Sequence, residues 1–95
     1  MTNTNVESYE NVWDAIADTS GEAANMQAKT ELMRQIVEII KKQGLKQSIV
    51  AKHCGITQPR LNDLLRGRIS RFSLDALVNI AAAIGQRVHI ELEAA

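Results

Sequence analysis

Twenty residues, Gln47 to Arg66 (QSIVAKHCGITQPRLNDLLR), constrain this chain more than any other part of it. A single glycine, Gly55, divides them into two short segments, each patterned at helical spacing. Val50, Cys54, Ile56, Leu61 and Leu64 fall where the side chains of two crossing helices must face a shared core. Ala51 is small at the crossing point, and Gly55 supplies the backbone freedom for a tight turn. Gln58, Pro59, Arg60, Asn62 and Asp63 then lie on the outward side of the second segment and are mostly polar. Two helices meeting over one glycine, the second with a polar outer face, form a helix-turn-helix arrangement.

The flanking sequence predicts the rest of the bundle. From Glu22, the residues Met26, Lys29, Met33, Ile36, Val37 and Ile40 recur every three or four positions, widened by Leu32 and Ile39. This predicts a long amphipathic helix with Met26 and Met33 on its core face. Lys41 and Lys42 suit the negative end of its dipole, and Gly44 a left-handed cap. A second helix runs from about Lys46 to Cys54. Thr57 is the expected N-cap of the third, with Pro59 in its first turn, Ile56 stapled to Leu61, and Gly67 past its end. Ser73 caps a fourth helix, flanked by the pair Phe72 and Leu77, with Leu74, Leu77, Ala81 and Ile84 on its apolar face before Gly85.

Beyond Gly85, Val88, Ile90 and Leu92 alternate with His89, Glu91 and Glu93, the period of a strand. One strand has no ladder partner within the chain, so pairing with a second copy or another protein is expected. At the other end, residues 1–21 read as an acidic, loosely ordered arm preceding a domain at 22–95. Val12, Trp13, Ala15, Ile16 and Ala17 make one short amphipathic turn there, which Gly21 is expected to stop. Trp13 anchors the arm to its own domain or docks into a partner.

The 95 residues allow one small domain, and domains of this size often gain stability by dimerising. A single cysteine, Cys54, excludes an internal disulfide and fits a reducing cytoplasm. The start MTNTNVESYE has neither the basic nor the apolar region of a signal peptide, and no apolar run is long enough to span a membrane. A soluble cytoplasmic protein is therefore expected. His53 and Cys54 are adjacent, so they point about 100° apart on a helix and do not form a metal pair. With no phosphate-binding glycine loop, no spaced nucleophile, histidine and acid, and no evident carboxylate pair, neither enzymatic activity nor a cofactor is expected.

Net charge is zero, but its distribution is uneven. Residues 1–31 carry six acids and one base, a net of −5, while residues 32–72 carry nine bases and two acids, a net of +7. Residues 73–95 return to −2. Blocks this separated suggest a basic face for a polyanion and an acidic arm for another partner.

The run Gln47…Ala51…Gly55-Ile56-Thr57-Gln58…Leu61…Leu64…Gly67 resembles the phage-repressor (Cro/repressor, XRE) class of helix-turn-helix. The longer stretch GITQPRLNDLLRGRISRFSLDALVNIAAAIG, with its closing Ile84-Gly85-Gln86-Arg87-Val88-His89-Ile90, is similar to small antitoxins of the HigA type. The resemblance spans roughly residues 10–92. It implies an all-α fold, a repressor-like four- to five-helix bundle with a short C-terminal β-strand, binding double-stranded DNA in the major groove. Pro59 and Arg60 depart from residue types common at those places in phage repressors, so base preference does not carry over.

Position by position, the resemblance implies that Gln47 and Thr57 anchor phosphates, and that Gln58 pairs with an adenine edge. Arg60 is expected to reach guanine O6 and N7, so that Arg60→Ala costs about 1–3 kcal/mol at one base position. Pro59, Asn62 and Asp63 complete the base-facing set, Asp63 by accepting from a cytosine amino group. Lys46, Arg66, Arg68 and Arg71 are expected on phosphates. Val88, Ile90 and Leu92 would pair two copies into a homodimer. The function implied is an autoregulating antitoxin whose partner is a small basic RNase-type toxin. A free-standing phage-type repressor and an interaction module without DNA affinity are the alternatives.

Overall fold

The computed structural model describes the backbone of residues 3–94 and the side chains of residues 21–94. The described chain is helical: α1 (Asn3–Gln43), α2 (Gln47–Cys54), α3 (Gln58–Leu65), a single 3-10 turn (Ile69–Arg71) and α4 (Leu74–Ala83). α2 and α3 pack against each other, and α1 lies mainly against α4. The core draws on all four α-helices. Met33, Ile36 and Ile40 come from α1, Val50 and Ala51 from α2, and Leu61 and Leu64 from α3. Phe72, Leu77, Ile80, Ala81 and Ile84 close it from the C-terminal side. Each fully buried aliphatic side chain of this kind contributes about 1.5–3 kcal/mol of transfer free energy.

The motif positions behave as their spacing predicts. Val50, Ala51, Leu61 and Leu64 are buried, with Cys54 and Ile56 half-buried against them. Gly55 sits at φ 70°; its N–H donates to the Lys52 carbonyl and the Ile56 N–H to the Ala51 carbonyl, ending α2. Ser73 caps α4 by accepting from the N–H of Ala76 at 3.1 Å, and the expected pair Phe72 and Leu77 is buried beside it.

Three expectations are corrected. The helix passes through Gly21 without a break, so this glycine does not stop it. A glycine costs a helix interior only about 1 kcal/mol against alanine, and good helix formers, Ala23, Ala24 and Ala28, follow. Met26 is 44% exposed rather than core, because residues 21–28 are covered by no other helix; only Met33 of the pair is buried. Finally, no strand is assigned among residues 86–94. Val88 is half-buried against the core, whereas Ile90 and Leu92 are 77% and 98% exposed. A lone extended segment has no neighbour with which to form a ladder. The side chains of Trp13 and of the acids at 7, 10, 14 and 18 lie outside the described residues.

Along the outer face of α1, Arg34 bridges Glu31 and Glu38 at 2.6 and 3.2 Å. The hydrogen bond from Arg34, helped by one from Gln35, holds the Glu31 carboxyl below its ordinary range. Among the described residues, no helix is long and apolar enough to cross a membrane.

Candidate nucleic-acid interface

α3 is an eight-residue helix with a well-defined start. The Thr57 hydroxyl oxygen accepts from the N–H of Arg60 at 3.2 Å, and the Leu61 N–H donates to the Thr57 carbonyl at 2.9 Å. Pro59 sits in the first turn, where a helix has no use for its missing N–H. The inner face, Leu61 and Leu64, is fully buried, so the helix cannot rotate without opening the core. That fixes the outer face. Gln58 and Pro59 are exposed at its N-terminal end, and Asn62 lies one turn further on, half-buried.

Arg60 and Asp63 are engaged inside the domain. The Arg60 guanidinium lies over the ring of the buried Phe72, 4.4 Å from its centroid, and donates through Nη1 to the Arg71 carbonyl at 3.3 Å. The guanine contact expected of Arg60 needs the same guanidinium edge projected outward. The Asp63 carboxylate accepts from Arg68 Nη1 at 3.0 Å on one oxygen and from Arg71 Nη1 at 3.1 Å on the other. It is therefore not an open acceptor for a cytosine amino group. Both arrangements arise because the 3-10 turn after Gly67 brings Arg68, Arg71 and Phe72 within reach of Arg60 and Asp63. Their spacings of five, eight, eleven and twelve residues belong to no local repeat, and no sequence signal announces them.

The expected phosphate-binding residues form two groups. Lys46 and Gln47 are exposed at the start of α2, whose N-cap Lys46 makes no side-chain capping bond. The exposed Arg66, Arg68 and Arg71 lie beyond the end of α3. Thr57, also exposed, has its hydroxyl in the cap of α3, between the two groups in sequence. Along the chain, the polar face of α3 is thus preceded and followed by exposed cations, the residue types that a helix in a groove needs for its phosphate contacts. Cys54 plays no part in it: burial pushes its thiol up from the ordinary range, which disfavours the reactive thiolate.

Comparison with known proteins agrees with this geometry. The profile of the family described as "Helix-turn-helix domain" matches residues 15–93. No protein of curated function matches the sequence. Among solved structures, a proposed XRE-family transcriptional regulator is similar at 27% identity with a TM-score of 0.70, over 78% of this chain and 83% of that one.

Proposed function

Because this chain belongs to the helix-turn-helix domain family, we propose that it is a sequence-specific DNA-binding transcriptional regulator. The observation that carries the reading is α3 itself: a capped helix, locked by Leu61 and Leu64, that leaves Gln58 and Pro59 exposed and Asn62 half-buried on its outer face. Gln58 is the leading base reader, since a glutamine amide pairs with adenine N6 and N7. Lys46, Gln47, Thr57 and Arg66 hold phosphates and set the register. The likeness to a structure described as an XRE-family regulator supports the same reading.

Two copies act together, each placing one α3 in a half-site about 34 Å from the other. What favours a pair is the segment after Val88, which leaves Ile90 and Leu92 in solvent. Leu45 and Ile49, also exposed, line a groove of about 390 Å³ beside Ile84 and Gly85, where that segment leaves α4. In the finer reading the protein is a HigA-type antitoxin that represses its own gene, and the acidic arm from Glu7 to Glu22 is its contact for a small basic RNase-type toxin.

The test is fluorescence anisotropy on duplex DNA from upstream of the protein's own gene, against a scrambled duplex at equal salt. Tight, palindrome-dependent binding supports the autoregulating repressor. No binding to either duplex at low salt removes DNA recognition altogether. Sedimentation of the free protein decides the pairing, and a monomer at all concentrations refutes it.

A further inference from the structure

We propose that Asp63 is a positioning residue for DNA binding, which holds Arg68 and Arg71 as a two-arginine phosphate clamp at the end of α3; the inference rests on the DNA-binding reading above. A carboxylate on a recognition helix is ordinarily repelled by phosphate, and removing it is expected to strengthen binding. Here the geometry argues for the opposite. Each Asp63 oxygen takes one arginine, at 3.0 and 3.1 Å. The Asp63 side chain is only 16% exposed, whereas those of Arg68 and Arg71 are 43% and 57% exposed. The two cations thus cover the anion, and the trio turns a net positive surface to solvent.

A guanidinium carries five N–H donors. The contact to Asp63 uses one nitrogen of each arginine, so both retain outward donors for a phosphate oxygen. The carboxylate comes from α3, while the arginines come from the segment that follows it. The tie therefore sets the distance between the cations and the base-reading face. Arg60 reinforces it from the other side by binding the Arg71 carbonyl and stacking on Phe72. Without Asp63, two long side chains regain their rotamer freedom and must lose it again on binding. Immobilising two such side chains afresh on binding is expected to cost about tenfold or more in affinity.

The experiment measures binding of wild type and Asp63→Asn to one mixed-sequence duplex, long enough for two half-sites, across a salt series. The expected result is about tenfold weaker binding by Asp63→Asn, with a salt slope shallower by about one phosphate contact or more. In an Arg68→Gln, Arg71→Gln background there is nothing left to position, and the same Asp63→Asn change then strengthens binding. Thermal melting of each variant accompanies the titrations. If Asp63→Asn is unfolded at the assay temperature, Asp63→Glu, which keeps the charge but moves it outward, replaces it with the same expected loss. Equal or tighter binding by Asp63→Asn in the wild-type background overturns the clamp. Failure of the wild type to bind at any salt overturns the DNA-binding reading itself, so the two failures are distinct.

Discussion

The guanidinium carbon of Arg60 lies 4.4 Å from the centroid of the Phe72 ring, and this stacking decides what the third residue of α3 does. A cation over an aromatic face at a partly exposed site is worth about 0.5–1 kcal/mol, and the bond to the Arg71 carbonyl adds to it. Arg60 therefore joins α3 to the segment that follows. Arg60→Ala is expected to lower stability by about 1 kcal/mol and to weaken binding to all duplexes alike. Affinities measured on duplexes with single base changes check this. A loss confined to one base position shows instead that Arg60 leaves Phe72 and reads a guanine.

Thr57 supplies the capping oxygen of α3 and Ser73 that of α4. Replacing either by alanine leaves an N-terminal N–H without its acceptor and is expected to cost about 1 kcal/mol in chemical denaturation. The two differ in their effect on DNA. Thr57→Ala frays the start of the reading helix and weakens binding beyond its stability cost, whereas Ser73→Ala leaves affinity unchanged. Equal effects of the two on affinity would show that the start of α3 does not touch DNA.

Gly55 turns the chain between α2 and α3 at φ 70°, and a methyl group added there meets nothing within 4 Å. The cost of Gly55→Ala is therefore conformational alone, about 1–2 kcal/mol. Asparagine, which tolerates the left-handed region, is expected to cost less. A melting series of Gly, Asn and Ala at position 55 in that order of stability bears this out, and an alanine variant as stable as wild type contradicts it.

Much of this was legible because the signals are local. Thr57, Pro59 and Gly55 each act within four residues of their place in the chain, and the periodicity of Val50, Leu61 and Leu64 names the buried face directly. Met26 shows where periodicity runs out. A pattern identifies a helix face but not how far its neighbours extend, and α4, with ten residues, covers about 15 Å of a 41-residue helix of about 60 Å. The pairing of Asp63 with Arg68 and Arg71, and of Arg60 with Phe72, depends on the path of residues 66–72. Only the folded turn brings those partners together. The strand pattern after Gly85 is real in the sequence, but a ladder is a property of two chains or segments, and one copy cannot display it.

Cys54 gives a prediction in pH. Burial raises its thiol pKa in the folded chain, so the unfolded chain ionises first. The contribution of the neutral thiol to stability is then complete below the thiol's unfolded value and declines as the pH rises past it toward the raised folded value. Alkylation by iodoacetamide at pH 8 is expected to be slower in the native protein than in denaturant. Equal rates would mean that the thiol is open to solvent.

Selection from a pool of randomised duplexes tests the claim that the outer face of α3 reads base sequence, whatever the operator turns out to be. A two-fold site with half-sites about one helical turn apart is expected to be enriched. With Gln58→Ala, preference should collapse at one position in each half-site while the remaining positions persist. A bound pool indistinguishable from the input, at salt where the protein still binds, would contradict the claim and leave only the phosphate contacts standing.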